Sequence, residues 1–133
     1  MTVRNRTSLP IDGMTFMLRF PETGSDTSYP IGYQYEWGAT MLKRRNPLSS
    51  EDRSPGIPLN LLPQQTATVD LGAHYQEYSE LLESRLATSA VTQVELSTII
   101  VDFANGIEWG GGQYYRPSAG SQQPTVVDPS EVF

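Results

Sequence analysis

The carboxylates are the first groups in this sequence whose spacing could do chemistry. Glu51-Asp52 are adjacent, and Asp102 and Glu108 flank an Asn105-Gly106 turn. Glycoside hydrolysis needs two carboxylates about 5–9.5 Å apart. A hairpin fixes where such a pair points, and the register derived below sends Asp102 and Glu108 away from the apolar face, toward solvent. Solvated surface charge is the stronger reading, and a carboxylate hydrolase is the weakest of the functions considered.

Other catalytic and metal chemistry has less to build on. His74 is the only histidine and the chain has no cysteine. Zinc and copper centres, thiol catalysis and disulfides therefore drop out. A Ser-His-Asp triad would have to use His74, which stands at the start of an expected helix beside Tyr75. Gly110-Gly111-Gly112 has no following Lys-Ser/Thr and no helix, so it reads as a bend and not a phosphate cradle. No Asp-x-Asp-x-Asp-Gly calcium run occurs. The expectation is a protein that is not an enzyme and holds no cofactor and no metal.

Aromatic and charged side chains point instead to binding. Tyr33, Tyr35 and Trp37 alternate, so they share one strand face over roughly 14 Å. Exposed, that row would stack on sugar rings or on a proline-rich peptide. Buried, it is core, which a domain of this size favours. Tyr114 and Tyr115 point to opposite faces, so one of the two is expected to be exposed at an interface. The one basic cluster, Lys43-Arg44-Arg45, reads first as a charged strand end that blunts an edge. The alternative is a contact with an acidic or phosphate-bearing partner. Fifteen acidic against nine basic residues give a net charge of −6, which argues against nucleic acid. The charge is lopsided: residues 1–66 carry seven basic and six acidic side chains, residues 67–133 two and nine. No apolar run nears the roughly 20 residues of a membrane helix.

These side chains are positioned by an expected all-β chain. With 133 residues, 11 glycines, 10 prolines and 18% charged residues, the sequence has the size of one domain and is rich in turn formers. Val3 to Ile11 reads as an irregular first strand, and Asp12-Gly13 as a turn. Met14, Phe16, Leu18 and Phe20 then share one face at period two. Tyr33 to Leu42 is the next strand. Residues 46–63, with four prolines, form a long connection with room for one short edge strand. Gln64 to Leu71 alternates again, with Ala67, Val69 and Leu71 on one face. From His74 to Ala87, the apolar stripe Tyr75, Tyr78, Leu82 and Leu86 predicts a surface helix.

Val91 to Phe103 is a long strand leading into a hairpin. A three-residue loop, Ala104-Asn105-Gly106, pairs Phe103 with Ile107 and Val101 with Trp109, keeping the apolar side chains together. Val94 and Leu96 fall on the opposite parity. Either a bulge near Ser97-Thr98 reverses the phase, or the strand is buried on both sides. Residues 1–116 thus read as one domain. Residues 117–133, rich in Pro, Ser and Gln, form a tail with two apolar patches, Val126-Val127 and Val132-Phe133. Such a tail is ordered only by contact with its own domain or with a neighbour.

Six to seven strands, a proline-rich middle and Trp37 in the third strand resemble an immunoglobulin/fibronectin-III-like antiparallel sandwich, with one short helix between the fifth and sixth strands. The hairpin Val101-Asp102-Phe103-Ala104-Asn105-Gly106-Ile107-Glu108-Trp109 resembles a V-x-F-x-(D/N)-G-x-x-W pattern of uncharacterised exported bacterial proteins. Residues 2–11 and 61–71 resemble their opening and middle strands. Ala-Asn replaces the more usual acidic pair at the turn. The resemblance implies architecture and export, periplasmic or extracellular, although no apolar leader follows Met1-Thr2-Val3-Arg4. It implies no catalysis. The expected function is a non-catalytic structural or protein-interaction module, an accessory subunit of a larger assembly. Its C-terminal tail would meet a protein partner through Val126, Val127 and Phe133. The alternative is a carbohydrate-binding module using Tyr33, Tyr35 and Trp37.

Overall fold

A computed structural model describes residues 1–40, 56–84, 91–118 and 123–133. Its centre is the strand with the clearest period-two pattern, β2 (Ile11–Phe20), where Met14, Phe16, Leu18 and Phe20 are all buried. On one side β2 pairs antiparallel with β3 (Ile31–Gly38), setting Met14 opposite Trp37, Phe16 opposite Tyr35 and Leu18 opposite Tyr33. On the other it pairs with β5 (Glu95–Phe103). The sheet continues through β6 (Glu108–Gly110), β7 (Gln113–Arg116) and β8 (Thr125–Val127), all antiparallel, in the order β3-β2-β5-β6-β7-β8. A second, two-stranded sheet pairs β1 (Thr2–Arg4) with β4 (Thr66–Thr68). This ribbon adds Val3 and Ala67, and Val69 just beyond β4, to the same hydrophobic core.

Among the described residues there are thus eight short strands, and helix α1 (Tyr75–Glu83) follows the fourth, not the fifth. Residues 46–55 of the long connection, and Leu86 of the helix stripe, lie outside the described residues. Leu61 makes one isolated bridge to Ile11. Asp70 caps a 3-10 turn (Leu71–His74) by accepting from the Gly72 N–H at 2.9 Å, and α1 follows directly. Leu82 of α1 is buried, Tyr78 packs against the core, and Tyr75 stays exposed.

Three local expectations are corrected. The first strand ends at Arg4 rather than Ile11, because Asn5 draws residues 5–9 into a loop. Asp12-Gly13 is no turn. β2 runs through it with a bulge between Ile11 and Gly13, and a Cβ on Gly13 would stand 2.3 Å from the Ala39 carbonyl oxygen. Glycine is there for close approach of two backbones. Gly110-Gly111-Gly112 is not a bend within one strand either. Gly111 and Gly112 have φ of +58° and +85°, the backbone of a two-residue hairpin turn, and β7 returns alongside β6.

The long hairpin takes the expected register. Val101 faces Trp109, the Phe103 N–H donates to the Ile107 carbonyl at 2.8 Å, and Gly106 has φ of +81°. A register shift sets Thr15 opposite Ile100 but Phe16 opposite Thr98. Ile99 is the extra residue, and the bulge puts Leu96 and Thr98 on the same face as Val101.

Candidate binding surface

The Tyr33-Tyr35-Trp37 row lies on the core side of β3, opposite the buried face of β2. Tyr35 is buried, and Tyr33 and Trp37 are half-buried against the core. Helix α1 and its lead-in pack on the row. Tyr78 meets the Tyr33 ring edge-on at 5.7 Å, and His74 meets Tyr35 at 5.1 Å. Three aligned rings open to a sugar are therefore not presented on this face. Instead, the Tyr33 hydroxyl donates to Glu77 Oε2, while Glu77 Oε1 stands 2.8 Å from His74 Nδ1. Burial, then the hydrogen bond to Glu77, push the Tyr33 phenol up to about 12. The hydrogen bond from Tyr33, followed by that from His74, holds the Glu77 carboxyl below its ordinary value. The network ties a strand to a helix. Helical spacing places His74 and Glu77 together (i, i+3), but nothing in the sequence announced Tyr33 as their partner.

Asp102 and Glu108 face each other across β5 and β6, on the side of the sheet away from the core as expected. They are not at the solvent. Asp102 is 4% and Glu108 8% exposed, and both make contacts within the protein. Thr15, fully buried on the next strand, shares their face, so this side of the sheet is covered as well. The recess beside Asp102 has a volume of about 80 Å³, far short of the roughly 300 Å³ at which small-molecule sites begin. The Lys43-Arg44-Arg45 cluster lies outside the described residues.

At the C-terminal end the apolar patches divide. Val127 and Val132 are buried, whereas Val126 and Phe133 are 63% and 66% exposed. β8 is the last strand of the sheet. The segment is fastened from within. The backbone N–H and hydroxyl of Ser8 each donate to the Val132 carbonyl at 2.8 Å, and Arg116 lies 3.2 Å from Glu131. Neither Tyr114 nor Tyr115 is fully exposed. Tyr114 packs between Phe103 and Phe133, and the Tyr115 hydroxyl donates to Gln113 Oε1.

No family model, curated protein or solved structure matches the chain. Its surface is therefore read from its own geometry. Among the described residues no group of three or more His, Asp or Glu side chains is placed to hold a metal ion. No helix among the described residues is long and apolar enough to cross a membrane.

An apolar groove of about 320 Å³ opens between the N-terminal segment and the core face of the sheet. Residues 3–7 form one wall, and Val101, Trp109, Tyr114 and Phe133 form the floor. The wall is held by Asn5, which is 1% exposed. Its amide Nδ2 donates to the Leu9 and Leu61 carbonyls at 2.8 and 2.9 Å, and its Oδ1 accepts from the Thr7 N–H. Asn5-Arg6-Thr7 matches the glycosylation sequon Asn-x-Ser/Thr, but here it is a structural knot, with both amide protons of Asn5 engaged. The sequence singles out Tyr114, Phe133 and Asn5, the last only as part of that sequon, and does not disclose the groove. The groove exists only because segments about 100 residues apart meet, as the lining by Arg4 and Trp109 shows.

Proposed function

We propose that this chain is a non-catalytic protein-interaction module, an exported sandwich of immunoglobulin or fibronectin-III type that serves as an accessory subunit of a larger assembly. The observation that carries the reading is the C-terminal edge of the sheet. β8 is three residues long, has no strand beyond it among the described residues, and displays Val126, which is 63% exposed. Such an edge with apolar side chains accepts a partner by strand addition or by covering contact. Two antiparallel sheets sharing one core support the sandwich. The small recess beside the buried carboxylates and the covered aromatic row favour binding protein over acting on a sugar.

A photo-crosslinking amino acid in place of Val126 tests this in the cells that make the protein. The expected result is one adduct of discrete mass, absent when the probe replaces Tyr29, an exposed position in another loop. No adduct, or the same adducts from both positions, overturns the reading.

A further inference from the structure

The pairing of β1 with β4 uses alternate residues. Met1 and Val69 exchange both backbone hydrogen bonds, at 2.9 and 2.8 Å, and the Asn5 N–H donates to the Gln65 carbonyl at 3.0 Å. In an antiparallel ladder the hydrogen-bonded residues are then 1, 3 and 5, and the N–H and C=O groups of Thr2 and Arg4 point out of the ribbon on its other side. No backbone partner for these groups occurs among the described residues. Val3 and Arg4, neighbours in β1 whose side chains point to opposite faces, both line the groove, as when a backbone edge meets a cavity. The same groove is lined by Trp109, Tyr114 and Phe133, and by Arg4 and Arg6, both of which are exposed. One Arg4 nitrogen donates to Gln64 Oε1 at 3.0 Å, leaving four N–H donors on that guanidinium.

We infer that this groove takes an extended peptide segment of a partner protein, added as a third strand to β1. The segment carries apolar residues at alternate positions toward Trp109 and Tyr114, and acidic residues toward Arg4 and Arg6. The backbone edge supplies donors and acceptors about 7 Å apart, the spacing of alternate residues in a strand. The floor supplies apolar contact, and the two cations select the sign of the charge. A volume of about 320 Å³ holds a few side chains, not a folded domain. The inference rests on the reading that the chain binds protein, but it names a different surface from Val126.

The probe is a blocked hexapeptide, Glu-Val-Asp-Val-Thr-Val, with Lys-Val-Lys-Val-Thr-Val as control, added to the full chain. The expected result is saturable binding of the acidic peptide, with amide exchange of Thr2 and Arg4 slowed about tenfold and that of Val3 unchanged. Arg4→Glu with Arg6→Glu weakens binding about tenfold and removes the preference over the lysine peptide. Thr2→Pro, which deletes an outward N–H and leaves the ladder to β4 intact, weakens the acidic peptide in the same way. Both variants alter exposed residues, and an unchanged amide spectrum elsewhere verifies their fold. The inference is overturned by absence of binding at millimolar peptide, by protection at other strands instead of Thr2 and Arg4, or by equal binding of the two peptides. If the Val126 probe still gives its adduct in that event, only the groove has failed.

Discussion

Tyr33 on β3 donates its hydroxyl hydrogen bond to Glu77 on α1, and Glu77 in turn faces His74 at the start of that helix. One carboxylate thus joins a strand, a helix and the turn before it. The joint stands beside a ring cluster in which Tyr78 touches Phe20, Tyr33 and Tyr75. The joint ties α1 to the sheet.

Tyr33 titrates late. Its phenol is pushed up to about 12, first by burial and then by the bond to Glu77. A raised value means that the folded state keeps the proton more tightly than the unfolded chain. The stabilisation is therefore complete below the ordinary value of 10.0 and is lost as pH rises toward 12. Tyrosinate absorbance followed against pH shows a late step in the native protein, and Tyr33→Phe removes that step.

Glu77 acts at the other end of the scale. The hydrogen bond from Tyr33, and next that from His74, lower its carboxyl from the ordinary 4.5. Its contribution is present above that value and disappears as pH falls through the lowered one. Thermal unfolding between neutral and acid pH shows a shallower loss of Tm for Glu77→Gln than for the native chain. An unchanged acid limb would mean that the exposed carboxylate is held no better than in the unfolded state.

Asn5 fastens a loop to the core. Asn5→Ala removes its bonds to the Leu9 and Leu61 carbonyls, which keep only the Thr7 hydroxyl and the Ile11 N–H as donors, and frees the 5–9 loop, at a cost of about 1–2 kcal/mol. Urea unfolding should show a lower midpoint with an unchanged slope. Asn5→Asp is no substitute, because a carboxylate would face two carbonyl oxygens.

Two glycines separate strain from collision. At Gly106 a Cβ meets nothing within 4 Å, but φ is +81°, so Gly106→Ala costs about 1 kcal/mol. At Gly13 the added carbon would press on the Ala39 backbone at 2.3 Å, which neither strand can yield easily, so Gly13→Ala costs about 2–3 kcal/mol. Equal costs in chemical denaturation would contradict the close approach of β2 to residue 39.

The C-terminal segment is held by its own chain. Hydrogen exchange on the isolated protein should be slow in β8, and slow at Val132, whose N–H donates to the Pro129 carbonyl at 2.9 Å. Fast exchange throughout 123–133 would mean that its order depends on a neighbour.

These contrasts explain what the sequence disclosed. β2 was legible because its core face is written at period two, and the long hairpin because only one register keeps Val101, Phe103, Ile107 and Trp109 together. The phase reversal in β5 was legible as an alternative, and Ile99 resolves it. Asp12-Gly13 misled because a turn and a close backbone approach ask for the same residue, and only Ala39, from a distant strand end, tells them apart. Parity placed Asp102 and Glu108 on the correct face. Their burial was hidden because the cover over that face is not local. Likewise the aromatic row was readable, but its cover, α1, arrives from about 40 residues away, as the Tyr33–Glu77 bond shows.

The bond from Ser8 to Val132 joins positions 124 residues apart. Likewise β2 finds its place only between β3 and a strand far downstream, as the Ile11–Phe103 pairing requires. During synthesis β2 must therefore wait, unsheathed, until β5 has emerged. During that wait β2 exposes Met14, Phe16, Leu18 and Phe20 in one stripe. Such transient exposure of an unpaired apolar strand is an aggregation hazard separate from native-state stability.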